Sequence, residues 1–211
     1  MDLGELGPHM ARCFELAWQS CAAGTIGVGA RLVGEDGSVL ADGSNGLFAD
    51  AVGPLRGNKI AHAEMNALAQ IDAATDLTRA TLYTSLEPCF MCAGAVLLSR
   101  VGRVEVAARD PYMEGASALP TADHGMTDIA ERVFLDRPEW TVLSRVFSLH
   151  AVFFWMSGSD AVASAHSTEP KIAPLVAELV VDNTVAALAE AGAGVEAAID
   201  ELAPKIAAAL G

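Results

Sequence analysis

The chain is predicted to fold as an α/β protein, a three-layer α/β/α domain with a mixed central sheet and an added C-terminal helical tail. Three observations carry this. Strand-like runs rich in β-branched and aromatic residues alternate with stretches of helical apolar spacing as far as Asp110. Two of the strand runs are joined by Gly34-Glu35-Asp36-Gly37, which reads as a hairpin turn. Beyond Glu169 the strand patterns stop, and apolar residues recur at helical spacing to the C-terminus. With 211 residues, 52% of them hydrophobic, the chain can bury a sizeable core.

Residues 10–23 place Phe14, Ala17, Trp18 and Cys21 at helical spacing, and Gly24 ends the pattern. Strand-like runs follow over Ile26 to Val33 and Ser38 to Asp42, then a Gly- and Asp-rich loop from Gly43 to Asn58. An amphipathic helix is predicted from Ala61 to about Ala73, with Met65, Leu68 and Ala69 on its apolar side. Thr81 to Ser85 reads as a strand, Cys92 to Ser99 as a small-residue helix that can pack close to a sheet, and Arg103 to Ala108 as another strand. A Gly- and Pro-containing stretch reaches about Thr127, and a helix is predicted from Asp128 to Leu135.

Trp140 to Met156 is aromatic and β-branched and is open to two readings, an added strand or a buried helix. It would fill the core, cap a pocket or form a subunit interface. Ser157 to Ser167 reads as a small polar linker. The tail then shows Ile172, Leu175, Val176, Leu179 and Val180 at helical spacing, a break at Gly192-Ala193-Gly194, and a second helix bearing Val195, Ile199, Leu202 and Ile206. The expected division is a main domain over 1–157, a linker over 158–168 and a helical hairpin over 169–211, packed on the domain or on a partner subunit.

No run is long enough to span a bilayer: Val146 to Met156 falls short of the roughly 20 residues required and carries His150. Asp2 and Glu5 are at odds with the basic start of a signal peptide. Cys13 and Cys21, on one helix, would stand about 12 Å apart along its axis, beyond disulfide reach. A reducing cytoplasm is the expected location.

The chemistry concentrates in two short segments, His62-Ala63-Glu64 and Pro88-Cys89-Phe90-Met91-Cys92. Catalytic zinc keeps three protein ligands and leaves a fourth position for water or substrate, and His62, Cys89 and Cys92 supply three. Two residues separate the cysteines, so both thiolates can face one ion from a turn or the first turn of a helix. Glu64 lies close enough to take a proton from zinc-bound water without ligating the metal. Taken alone, Cys-x-x-Cys also suits a redox pair or half a structural zinc knuckle, and His-Ala-Glu is common on solvated helices. A structural zinc site would need a fourth ligand, for which Cys13 and Cys21 are the remaining thiols.

The order H-x-E followed by P-C-x-x-C resembles zinc nucleobase deaminases. Ile26 to Ala30, Gly43-Ser44-Asn45, Ala61 to Glu64 and the run from Leu82 to Asp110 are similar to the cytidine-deaminase-like superfamily, within it most similar to the branch of tRNA adenosine, guanine and cytosine deaminases. The likeness implies a zinc-dependent hydrolase: zinc-bound hydroxide attacks the ring carbon bearing the amine, while Glu64 moves the proton to the ring nitrogen and then to ammonia. It also implies that Asn45 hydrogen-bonds the substrate and that the Ala63 backbone N–H contacts the base. Glu87 would contribute its carbonyl or buttress the zinc loop, Asp110 would approach the substrate with Tyr112, and the protein would be a homodimer. On the other reading Asn45 and Asp110 are turn residues, and His124 is a surface loop residue rather than a ligand.

Glu87 to Ala95 with Ser99-Arg100 looks most like the tRNA adenosine branch, but charge points elsewhere. The net charge is −14, and without residues 160–211 the chain still holds 19 acids against 11 bases. Binding of tRNA rests on Lys and Arg contacts to phosphate. A free nucleobase, nucleoside or related amino-heterocycle is therefore the expected partner, and nucleic acid is disfavoured. The alternatives are a tRNA adenosine deaminase and a catalytically silent zinc-binding assembly protein, the latter opposed by the presence of Glu64.

Overall fold

A computed structural model describes residues 1–113 and 130–211. After a short 3-10 turn at Leu3–Leu6, helix α1 (Gly7–Ala22) leads into strands β1 (Gly29–Val33) and β2 (Val39–Ser44). Helix α2 (Ala63–Leu68), strand β3 (Thr81–Thr84), helix α3 (Phe90–Leu98) and strand β4 (Arg103–Val106) follow. Beyond the 3-10 turn Pro111–Met113 come strand β5 (Glu131–Phe134) and five helices, α4 (Pro138–Trp155), α5 (Asp160–Thr168), α6 (Ile172–Val181), α7 (Thr184–Glu190) and α8 (Val195–Leu210).

The sheet runs β2-β1-β3-β4-β5. β1 pairs antiparallel with β2 and β3, whereas β3, β4 and β5 are parallel, so the sheet is mixed as expected. One face buries Ala30, Leu32, Leu82, Val104 and Val106 with Ala63, Ala67 and Val96 of α2 and α3. On the other side α1 and α4 pack together through Phe14 against Trp140 and Trp18 against Phe147. Three layers result, α/β/α.

Two glycines set how closely the outer layers approach. A Cβ on Gly29 of β1 would stand 2.2 Å from the Cys13 carbonyl oxygen of α1, and one on Gly43 of β2 would stand 2.1 Å from the Ala63 carbonyl oxygen of α2. Neither position has room for a side chain. Helix α2 is thereby seated directly on β2, with its first turn at the sheet's edge.

Several expectations are corrected. The helix predicted to reach Ala73 stops at Leu68, because Asp72 instead accepts the Ala74 N–H in a local turn. The helix predicted over Asp128 to Leu135 is, in its described part, strand β5, whose β-branched and aromatic residues pair with β4. Position His124 lies outside the described residues. Trp140 to Met156 is helical: Pro138 opens α4, and Trp140, Leu143, Val146 and Phe147 share its buried side. The polar linker at Ser157 to Ser167 folds largely as α5, with Ser159 capping the Val162 N–H.

The tail forms three helices rather than two, since Asn183 takes a left-handed conformation between α6 and α7. It packs on the body of the chain. Val176, Leu179, Ile199, Leu202 and Ile206 join one core with α1 and α4, and the Trp18 indole donates to the Ala193 carbonyl at 2.7 Å. No single helix among the described residues is long and apolar enough to cross a membrane.

Candidate active site

The site forms where β3 ends. The strand runs into Ser85-Leu86-Glu87-Pro88, the Glu87 N–H bonds to the Ala108 carbonyl beside β4, and Cys89 then caps α3. Cys92 sits in the first turn of that helix. His62 caps the neighbouring helix α2, so both donor groups come from helix N-termini, where backbone N–H groups favour negative charge. The Sγ atoms lie 3.6 Å apart, and His62 Nδ1 stands 3.5 Å from Cys89 Sγ and 3.6 Å from Cys92 Sγ. Tetrahedral zinc with bonds of about 2.3 Å to sulfur and about 2.0 Å to nitrogen would separate its ligands by roughly 3.5 to 3.8 Å. The three residues fit zinc. Cys13 and Cys21 are buried in α1 and are not part of the cluster.

The two thiols differ in acidity. The hydrogen bond with Cys92, with His62 adding to it, lowers the pKa of Cys89 to about 4, whereas Cys92 is raised because it shares its proton with Cys89 and is buried. Glu64 lies one residue inside α2, 3% exposed, with one carboxylate oxygen 3.4 Å from the Thr84 hydroxyl. Burial raises its pKa, although nearby His62 opposes this. A buried carboxyl group thus stands beside the His62, Cys89 and Cys92 cluster.

These groups open into a cavity of about 200 Å³. Asn45, Ala63, Glu87 and Asp110 all line it, together with His62, Glu64, Cys89 and Tyr112. Asn45 follows β2 and is 2% exposed. Its amide oxygen accepts from the Thr25 hydroxyl at 3.1 Å and the Leu47 N–H at 3.0 Å. Its role as a loop residue and its place in the pocket are therefore compatible. Glu87 presents its carboxylate to the Asp110 N–H at 3.2 Å, and Asp110 in turn accepts from the Tyr112 N–H at 3.1 Å.

Capping a pocket is one of the roles open to Trp140 to Met156 in the sequence, but the sequence does not name the individual residues of the opposite wall. Arg145, Ser148, Leu149 and Val152 of α4, then Ala161, Ala165 and Thr168 of α5, and Glu169 after it, cover the cavity. Ser144 fixes α4 there by donating to the Ser85 carbonyl at 2.6 Å. The signal available was Arg145, a lone charge in the apolar run from Trp140 to Met156. Buried charges demand partners. Arg145 finds two: Glu169, through Nε at 2.8 Å and Nη2 at 2.6 Å, and Asp110, through Nη1 at 3.1 Å. Glu169 gave no local signal, because only the fold brings it to Arg145.

A three-layer mixed sheet with a His-Cys-Cys triad and a buried glutamate at the end of its parallel strands defines a zinc-dependent deaminase scaffold. The chain belongs to the family described as the cytidine and deoxycytidylate deaminase zinc-binding region, whose profile matches residues 6–108. Among curated relatives, the tRNA-specific adenosine deaminase of Haemophilus influenzae is 39% identical over 110 residues, covering 51% of this chain and 60% of that protein. The tRNA-specific adenosine deaminase of Streptococcus pyogenes is 30% identical over 121 residues, 56% of this chain and 72% of that protein. The guanine deaminase of Bacillus subtilis is 32% identical over 102 residues, 47% of this chain and 62% of that protein. A solved structure of a mutant protein in complex with 8-azaguanine matches with a TM-score of 0.52 at 27% identity, over 66% of this chain and 82% of that one. The chain thus spans about 60% of the length of the first of these relatives.

Proposed function

We propose that the chain is a hydrolytic deaminase of a small amino-substituted heterocycle, a free nucleobase or nucleoside. The observation that carries this reading is a metal triad and a buried glutamate at the floor of a cavity of about 200 Å³, covered by α4 and α5. That volume is below the roughly 300–1,000 Å³ of pockets for drug-sized ligands and suits one ring system.

His62, Cys89 and Cys92 would hold zinc, which when bound would supply Lewis acidity toward water and substrate. Glu64 takes one proton from the attacking water and gives it to the ring nitrogen beside the amine-bearing carbon; it then takes the proton left on the added hydroxyl, as that oxygen becomes the carbonyl, and passes it to the departing amine, which leaves as ammonia. The buried position of Glu64 keeps that proton from bulk water. Asn45 orients the ring through its amide, and the Ala63 N–H, at the start of α2, offers a donor to the ring edge. Glu87 and Asp110 line the same pocket.

A second reading, a tRNA adenosine deaminase, is supported by the named relatives, two of which carry that activity in their names. They favour it over the free heterocycle, and acidic composition alone does not set it aside. A flipped adenine also needs a pocket of base size. The walls from α4 and α5 and the acidic lining are what favour the free ring. A catalytically silent assembly role would leave Glu64 without purpose.

Ammonia release from cytosine, guanine, adenine, their nucleosides and tRNA, measured for the zinc-loaded protein and its Glu64→Gln variant, tests the readings. Turnover of a free base or nucleoside, lost in the variant, supports the first; release from tRNA alone replaces it with the second. We also propose a homodimer, checked by sedimentation, and a reducing cytoplasmic setting, which the four free cysteines support.

A further inference from the structure

The cavity is acidic. Among its described lining residues, Glu64, Glu87, Asp110 and Glu169 contribute four carboxylates, and Arg145 the one guanidinium. Two thiolates offset the charge of a bound zinc ion. Arg145 is not available to a ligand anion: both oxygens of Glu169 hold it in a bidentate pair, and Asp110 takes a further N–H. A phosphate entering this space would meet carboxylates and a guanidinium already engaged. A ring edge rich in N–H groups would meet acceptors, since a carboxylate offers about four lone-pair sites and the described contacts of Glu169 engage two.

Resting on the small-substrate reading above, we propose that Glu169 and Asp110, fixed by Arg145, are specificity-determining residues that admit an uncharged, N–H-rich amino-heterocycle and exclude its phosphorylated or otherwise anionic forms. The geometry suits this role. Glu169 sits between α5 and α6, its backbone N–H bonded to the Ala165 carbonyl and its own carbonyl accepting from the Ile172 and Ala173 N–H groups. Its side chain is 5% exposed and that of Asp110 is 12% exposed, so both act in a largely desolvated space. Like charges repel strongly where water is excluded. The helical extension therefore does more than cover the site: through Arg145 and Glu169 it sets what the site accepts.

The test compares kcat/KM for whichever base or nucleoside the zinc-loaded protein deaminates with that for its anionic counterpart, the 5′-monophosphate of a nucleoside or the ring carboxylate of a free base. The wild type should prefer the uncharged form by at least about tenfold. Glu169→Gln and Asp110→Asn, with zinc content unchanged, should raise KM for the uncharged form while changing kcat little, and should narrow the preference. Equal use of the anionic form by the wild type overturns the inference and leaves the deaminase reading standing. A preference unchanged in both variants, with only the melting temperature lowered, reduces the cluster to a structural ion pair and also overturns it. If Glu169→Gln does not fold, Asp110→Asn carries the comparison. Ammonia release from tRNA alone, or from no member of the panel, overturns the small-substrate reading and this inference with it.

Discussion

The Thr25 hydroxyl donates a 3.1 Å hydrogen bond to the side-chain oxygen of Asn45, and that contact, with the Leu47 N–H on the same oxygen, fixes the amide in the wall of the pocket. With the oxygen so held, the amide N–H₂ is the end left for a substrate acceptor. Asn45→Ala should raise KM for the substrate by roughly tenfold, the loss of about one hydrogen bond, with zinc stoichiometry unchanged. Thr25→Val should give a smaller effect in the same direction. Equal KM in Asn45→Ala and wild type would return Asn45 to a purely loop-forming role.

Glu64→Gln keeps the shape of the side chain and removes its proton chemistry. Turnover should fall by roughly 10²- to 10⁴-fold, the span of general acid–base catalysis, while metal analysis still finds one zinc per chain. Near-normal kcat in this variant would be incompatible with Glu64 as the proton carrier.

Removing a donor from the triad should act on the metal first. His62→Ala and Cys92→Ser should each lose zinc on dialysis, and a chelator should lower the melting temperature of the wild type but not of these variants. A chelator response that persists in both would place the metal elsewhere.

Gly43 offers a test of how the fold positions the site. Its Cβ would lie 2.1 Å from the Ala63 carbonyl oxygen, a backbone atom that cannot swing aside. Gly43→Ala should destabilise the chain by about 1–3 kcal/mol and weaken zinc binding, because α2 carries His62 and Glu64. Unfolding in urea and zinc titration measure the two effects separately.

His150 gives the fold a response to acid. Burial in α4 lowers its pKa from the ordinary value, so the folded state resists its protonation. Above about pH 6.5, the value in the unfolded chain, both states hold it neutral and it costs nothing. As the pH falls below that value the unfolded chain gains a proton that the folded one resists, and stability is lost until the folded-state pKa is reached. His150→Gln should flatten the dependence of the urea midpoint on pH as the pH falls below about 6.5 relative to wild type; parallel curves would count against it.

Sequence alone picked out the three residues whose cluster fits zinc, the glutamate proposed to carry the proton, and the layered α/β architecture. These follow from local chemistry: the spacing of Cys89 and Cys92, the placing of Glu64 next but one to His62, and the apolar periods of the strands and helices that carry them. The strand at Glu131–Phe134 and the short α2 were not legible, because sheet pairing with β4 and a side-chain turn at Asp72 overrode local propensity. The apolar run from Trp140 to Met156 left strand and helix open because its β-branched and aromatic content suits a strand while a continuous apolar stretch of that length also suits a buried helix. What only the tertiary structure decided is the roof of the pocket. Arg145 and Glu169 are separated by 24 residues and three helix boundaries, the end of α4 and both ends of α5, and nothing in the spacing of either announces the other. Their pairing exists because α4 is anchored over the end of β3 and α5 folds back across it, burying a guanidinium that must then find carboxylates.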